Sequence, residues 1–409
     1  MAKVITASTV RKFSHHGESI DLSEYDSIEA DAAALLAEFE GFISLRGVTH
    51  LDDESAMALA TQRGEIWLWS LSRIDDTPGH LALAEKLSLQ EGYLSLKKLT
   101  TIGLKSLDVL IRNKDNLELP GLEHLSVETA EILAAHKGHL NLGGLKEMSN
   151  EIAEILASHN GGLYLDGLQS MSDGAANSFS KHEGTLDLNG IKTLTLASAK
   201  SLSGNYGDLH LDGLKSLDAE LAEALSFHNG GMLTLRGLRR LEDGVAKALA
   251  SHNGDIELCG IQELSDADAE HLSGHRFWLG LRGLTDISDP VADALGRHQG
   301  NLDLSGIRNL TDSAAFHLAK HKGTLALDGV GFLNEGAARA LSRHTGVLRL
   351  SMVKNLSMAA ARHLSEHQGY LKIFGIARFK PQVVSILEKN PRMEDMYASI
   401  LKEFGIESD

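Results

Sequence analysis

Pairs of apolar residues two apart recur along this chain, and each pair is followed by a short turn and an apolar stripe spaced at three and four. The stretch from His298 to His321 shows one such unit. Leu302 and Leu304 alternate with Asp303 and Ser305, the period of a strand with one buried face. Ala315 and Leu318 lie three apart and, with Ala314 and Ala319, form a narrow apolar stripe on a helix. Thr311 before Asp312 reads as an N-cap with a carboxylate in the first turn, and Ser265-Asp266 repeats it. The helix is short, roughly two to three turns, with room for 3₁₀ geometry. Gly300 follows the preceding helix and reads as the stop that releases the chain into the next strand.

With the first strand residue of each unit as a marker, the series runs Ile20, Ile43, Ile66, Leu94, Leu117, Leu140, Leu163, Leu186, Leu209, Leu233, Ile256, Leu279, Leu302, Leu325, Leu348 and Leu371. The interval is 23 residues, except 28 after Ile66 and 24 after Leu209. One strand-turn-helix coil cannot bury its own leucines, so coils must stack. At about 4.8 Å per stacked strand, sixteen coils predict an array on the order of 75 Å long.

This unit resembles the leucine-rich repeat family, in an atypical, bacterial-like 23-residue form, over roughly residues 16 to 380. The resemblance rests on the L-x-L pair, the period and the helix that follows. It implies an α/β solenoid, an arc or horseshoe of about 16 coils with a parallel sheet on one face and short helices on the other. The family places Asn or Cys shortly after the second strand leucine, whereas Gly306-Ile307 stands there here. Gly holds that place in twelve of the sixteen units, so the asparagine ladder is missing.

The ends and one insertion depart from the period. Residues 1–16 read as a partial coil capping the array, with Phe13 at the helix-leucine offset before His16, and 17–380 as the solenoid. Residues 381–409 read as a C-terminal helical cap: Pro381 opens a helix through Lys389, Asn390-Pro391 interrupts it, and Met393 to Phe404 has the spacing of a second helix. That second helix could instead dock a partner. The five extra residues after Ile66 fall around Asp75-Asp76-Thr77-Pro78-Gly79-His80, where solenoids often extend a loop near a binding face. The next unit, Lys97 to Gly103, lacks the turn glycine.

Four residues before the marker stands a column of histidines: His16, His136, His159, His182, His252, His275, His298, His321, His344 and His367, with His228 one residue further back. A file of imidazoles invites a metal or pH-switch reading. Gln62, Gln90, Asn113 and Asn205 replace them, however, and share with His only hydrogen bonding. The column therefore reads as structural: neutral imidazoles that satisfy backbone groups at the helix-to-strand corner and that acid would disrupt.

Composition narrows the function classes. The net charge is −17 and no Lys/Arg run appears, which argues against nucleic acid. Excess acid leaves a basic protein partner open, or serves solubility alone. A single cysteine, Cys259, excludes an intramolecular disulfide framework and a Cys-rich zinc site. No apolar run approaches the ~18 residues of a membrane span, and the first residues lack a secretory core. The expectation is a cytoplasmic monomer without cofactor or metal, export by a route that reads no signal peptide being open.

Side chains at −1, +1 and +3 around each marker should face out of the sheet. In the early coils these are Phe42, Arg46, Trp67, Trp69, Tyr93, Lys97 and Glu118. Aromatics flanked by Arg and Lys have the composition of an interaction hot spot. The alternative is a local core, with the inserted loop folded over the tryptophans. The middle coils present an acidic strip, Tyr164, Asp166, Asp187, Asp208 and Asp212, with His139 and His210. It suits a basic peptide or a weak divalent-ion site, against the plainer reading of solvated carboxylates on a polar face. Later coils show Arg236, Glu257, Trp278, Arg282, Arg349, Tyr370, Lys372 and Phe374, and Cys259 as an inert thiol.

No nucleotide-binding, serine-hydrolase or zinc-protease motif is present. Asp187, His210 and Thr234 line up on adjacent coils, but an open sheet supplies neither an oxyanion hole nor water exclusion. The leading expectation is a non-catalytic scaffold that binds another protein through the sheet face. The alternatives are a host-directed bacterial effector or recognition subunit with a separate catalytic chain, and a carbohydrate or small-molecule sensor on Trp67, Trp69 and Tyr93.

Overall fold

Each L-x-L pair becomes a two- or three-residue strand with its leucines inward, and each apolar stripe becomes a helix of about two turns. The computed structural model describes residues 3–13, 19–374 and 376–395. In the unit read above, strand Leu302–Asp303 precedes helix Asp312–Leu318. Leu302, Leu304, Ile307, Ala315 and Leu318 are all at most 1% exposed. Thr311 Oγ1 accepts from Ala314 N at 3.0 Å, the N-cap its sequence announces.

The chain divides into two compact units, residues 1–210 and 211–409, with the division inside the one coil of 24 residues. Both units are α/β solenoids of strand-turn-helix coils. Their strands are parallel and pair in sequence order with markers in register: Leu140↔Leu163 and Leu163↔Leu186 in the first, Ile256↔Leu279 and Leu279↔Leu302 in the second. No helix among the described residues is long and apolar enough to cross a membrane.

Glycine stands at the turn position after the strand for a packing reason. A Cβ on Gly306 would stand 1.9 Å from the Arg282 carbonyl of the coil before, and one on Gly260 would stand 2.0 Å from that of Arg236. The turn lies against its neighbour's backbone, so no side chain fits. Gly300 follows its helix and leads into the next strand without a left-handed turn, positive φ occurring only at Gly92 and Gly244 among the described residues. A Cβ at Gly300 would meet Phe277 O at 1.8 Å, so this glycine too serves the close approach of coils.

The N-terminal residues add a small side sheet rather than a core stripe. Val4–Ile5 pairs in parallel with Ser27–Ile28, and Thr6 caps the short helix Ala7–Val10. Phe13, at a position that predicts helix core, is 36% exposed, while Val10 is buried; His16 lies outside the described residues. At the other end, Pro381–Leu387 is helical as expected. Met393–Asp395 is not the start of a second helix: it is a strand paired in parallel with Leu371–Ile373. Asn390 beside it donates to His367 O at 3.0 Å. The rest of the expected helix, 396–404, lies outside the described residues.

Candidate functional site: the tryptophan face

The insertion after Ile66 shapes the first unit. Its residues do not fold over the tryptophans. They follow a second side strand, Arg73–Ile74 paired with Thr101–Ile102, and lengthen the next helix to Pro78–Ser88. Asp53 Oδ1 accepts from Gly79 N at 2.7 Å, and Asp76 Oδ1 from Ser106 N at 2.9 Å, which ties that helix to the helices on either side. Buried His80 places Nε2 3.2 Å from Leu51 O.

On the strand side the coil is displaced and the sheet is interrupted. Ser19–Asp21, Phe42–Ser44 and Ile66–Trp67 form one three-stranded sheet, whereas Leu94–Ser95 pairs with Leu117–Glu118. A cleft of about 120 Å³ remains in the gap, walled by Trp67 and Trp69 on one side and Tyr93 and Ser95 on the other, with Glu65, Gln90 and Glu91 at its edge.

The expected residues meet here. Trp67 and Trp69 stack 5.3 Å apart with planes 18° from parallel, and Phe42 packs edge-on against Trp67 at 4.6 Å. The Arg46 guanidinium lies 4.0 Å and 3.9 Å from the two indole centroids, and Lys97 Nζ stands 4.5 Å from Trp69. Both tryptophans are half-buried and Tyr93 is 58% exposed. Trp67 Nε1 donates to Glu65 Oε1 at 2.6 Å. Neither Arg46 nor Lys97 has an ion-pair partner among the described residues, and Arg46 Nε is buried with no hydrogen-bond acceptor. Asp21 accepts from Ser23 N at 3.0 Å; Ser23 chiefly holds its carboxyl below the ordinary range, with Arg46 a smaller influence.

The acidic strip does not form one surface of free carboxylates. In the first unit Tyr164, Asp166, Asp187 and Asp208 are close enough to act on one another. Burial, then Asp187, pushes the Asp166 carboxyl up; burial, then Asp187 and Asp208, raises the Tyr164 phenol. Asp187 also accepts from Asn189 N and Nδ2, both at 2.9 Å, and lies 3.6 Å from His210 Nδ1. His139 Nδ1 accepts from Gly162 N. Asp212, in the second unit, accepts from Arg236 N at 2.8 Å and pairs with that guanidinium at 3.4 Å.

That pair begins an ion ladder across the second unit's sheet. Arg236 Nε donates to Glu257 at 2.6 Å, Arg282 reaches Glu257 at 3.8 Å, and Arg282 Nε donates to Asp303 at 2.7 Å. Further along, Arg349 pairs with Asp328 at 2.7 Å and Lys372 with Glu394 at 3.0 Å. Glu257 and Asp303 are 3% and 4% exposed, although their +1 positions predict side chains facing solvent. Long side chains at −1 and +3 close over +1; Trp278 likewise lies across Gly280, where a Cβ would stand 2.4 Å from its ring. Cys259 Sγ lies 3.3 Å from Glu257 Oε1, and burial pushes its thiol up to about 12.

The histidines form buried files. In the second unit His228, His252, His275, His298, His321, His344 and His367 stack in sequence, with centroids 5.6–6.5 Å apart. In the first, His136 and His159 stack at 6.2 Å, and His182 is buried. Nε2 of His136, His321 and His367 lies 2.9, 2.8 and 3.2 Å from a carbonyl of the coil before. The amides of Gln62, Asn113 and Asn205 reach the same kind of carbonyl at 2.9, 3.0 and 2.8 Å. Among the described residues no group of three His, Cys, Asp or Glu side chains is arranged to hold a metal.

One feature is silent in the periodic pattern. A cleft of about 810 Å³ lies near the end of the second unit between Phe332, Met358, Phe379 and the cations Lys354, Arg378 and Lys380. Phe332 is 66% exposed and stands where other coils carry Asp286, Asn309 and Asn355. An aromatic at a polar repeat position was the available signal.

No family model and no curated protein sequence matches the chain. Among solved structures it is similar to an internalin of Listeria monocytogenes at 15% identity and TM-score 0.42, covering 76% of this chain and 88% of the other. It is also similar to a leucine-rich-repeat protein of Leptospira interrogans at 16% identity and TM-score 0.41, over 100% of both chains. The Drosophila Toll–Spatzle complex matches at 13% identity and TM-score 0.44, over 90% of this chain and 49% of that one.

Proposed function

We propose that this chain is a non-catalytic protein-interaction scaffold whose partner docks on the sheet face built from Phe42, Arg46, Trp67, Trp69, Tyr93 and Lys97. The observation that carries this reading is the half-buried Trp67–Trp69 stack beside a cleft, with two cations laid on the rings. Rigid aromatics bring large contact area at little entropic cost, and the surrounding polar residues can exclude water from it. A carbohydrate sensor is the weaker reading, because Arg46 and Lys97 lie on the ring faces that a sugar would need.

The test is a pull-down with the wild-type chain and with Trp67→Ala/Trp69→Ala, both shown to be folded by circular dichroism, followed by direct binding of the purified candidate. The expected outcome is a partner that binds the wild type directly and loses at least about tenfold in affinity for the double variant. Undiminished binding to the folded double variant would move the docking site off this face.

A further inference from the structure

The cations on the sheet faces are of two kinds. In the second unit Arg236, Arg282, Arg349 and Lys372 each have a carboxylate within 4 Å. In the first, Arg46 and Lys97 have none among the described residues and lie on indole rings instead. Ring faces attract a cation but accept none of its in-plane N–H bonds. Arg46 Nε in particular is buried and unpartnered, which leaves a donor without an acceptor. The chain carries net charge −17, so two cations without a carboxylate within 4 Å run against its overall balance; Asp21 acts on Arg46 only from further off, its carboxyl being held down chiefly by Ser23.

From this we infer that the docked partner presents an acidic segment: a peptide stretch whose carboxylates pair with Arg46 and Lys97 while one apolar or aromatic side chain enters the cleft between Trp67 and Tyr93. This rests on the proposed docking face and adds the chemistry of what docks there. The cleft, about 120 Å³, has the scale of a single side chain. Glu65 and Glu91 at its edge disfavour a second anion there, so carboxylates belong over the arginine and lysine and the uncharged anchor belongs in the gap. Two cations without an ion-pair partner among the described residues suit a short acidic peptide. A polyanion such as single-stranded nucleic acid would also find a stacking platform, but it needs a charged track, and the rest of the chain is acidic.

The experiment measures fluorescence anisotropy of a fluorescein-labelled dodecapeptide that alternates glutamate and aspartate around one central phenylalanine, titrated with the full chain. Competitors are the same peptide with glutamine and asparagine, the same peptide with lysine, and oligothymidine. The acidic peptide should bind at least about tenfold tighter than its amide counterpart, and the preference should shrink with added salt. Arg46→Gln and Lys97→Gln, both checked for folding, should each weaken it about fivefold or more. Absence of saturable binding, equal binding of the amide peptide, or tighter binding of the lysine peptide or oligothymidine would overturn the inference.

The docking face itself is judged separately. A partner lost from Trp67→Ala/Trp69→Ala but kept by Arg46→Gln/Lys97→Gln would leave the face in place and remove the acidic chemistry. A partner lost from both would support both.

Discussion

Gln90 completes the hydrogen bonds of Ile66: its Oε1 accepts from Ile66 N at 2.7 Å and its Nε2 donates to Ile66 O at 3.3 Å. Ile66–Trp67 would otherwise end its sheet with backbone groups unpaired toward the displaced coil, and the side chain stands in for the missing strand. Gln90→Ala should therefore cost about 1–3 kcal/mol, the penalty of leaving buried backbone groups unpaired. Asn113 occupies the same column position in the next coil and donates to Gln90 O at 3.0 Å. Asn113→Ala should cost less, because no strand edge depends on it. Chemical denaturation of the two variants checks this, and equal losses would count against the edge-capping role.

The coil was legible because repetition averages out local ambiguity. Leu302, Leu304 and Leu318 fall at strand and helix spacing, and Thr311 and Ser265 announce their helices by capping chemistry. What stayed hidden lacks that redundancy. Two-residue side strands such as Arg73–Ile74 carry no period to read. Met393 to Phe404 has helical spacing, yet the backbone edge of Leu371–Ile373 captures Met393–Asp395 as a further strand. Glu257 and Asp303 look like solvated charges in sequence because their arginine covers lie 21 residues away, on neighbouring coils. The tryptophan face was visible as composition. Its unpaired cations appear only when the carboxylates of other coils are located.

The stacked imidazoles make the array acid-sensitive. Burial pushes His298 down to about 3 and His159, His275 and His344 to about 4, with charges on neighbouring imidazoles adding to it. The unfolded chain protonates these groups near 6.5, whereas the folded chain does so only at the lowered values. Above pH 6.5 both states are neutral and nothing is lost. As pH falls from 6.5 toward 4 the unfolded state gains protons that the folded state refuses, at up to about 1.4 kcal/mol per histidine per pH unit. The urea midpoint should drop steeply between pH 7 and 5, before most carboxylates titrate. His298→Asn, a residue the column accepts at Asn113 and Asn205, should soften the drop. A midpoint unchanged over that range would contradict the buried, neutral file.

Substitution at the turn glycines separates close packing from chain flexibility. Gly306→Ala places a methyl 1.9 Å from the Arg282 carbonyl, and overpacking of this kind costs about 1–3 kcal/mol or more. At Gly331 a Cβ meets nothing within 4 Å and φ is not positive, so Gly331→Ala should be neutral or stabilise by about 0.4–1 kcal/mol through the unfolded chain. Thermal melts of both variants give the comparison. Similar losses at the two sites would mean that backbone freedom, rather than contact between coils, selects glycine here.

The thiol of Cys259 reports on the ion ladder beside it. With the group pushed up to about 12 by burial and lying near Glu257, the thiolate fraction at pH 8 is on the order of one in ten thousand. Ellman's reagent should then react with native protein far more slowly than with free cysteine, and at the ordinary rate once the chain is unfolded in urea. Arg236→Ala adds a second arm. It removes the closer cation from Glu257, leaving Arg282 at 3.8 Å as the one cation near a nearly buried carboxylate. Because the arginines are half exposed, the loss should be about 1–3 kcal/mol, below that of a fully buried pair. The thiol should also become easier to reach, since a long side chain near both Glu257 and Cys259 is gone. A native thiol that reacts at the free-cysteine rate would show that this part of the sheet face is open; a slow thiol in the wild type that quickens in Arg236→Ala would show that the ladder is what closes it.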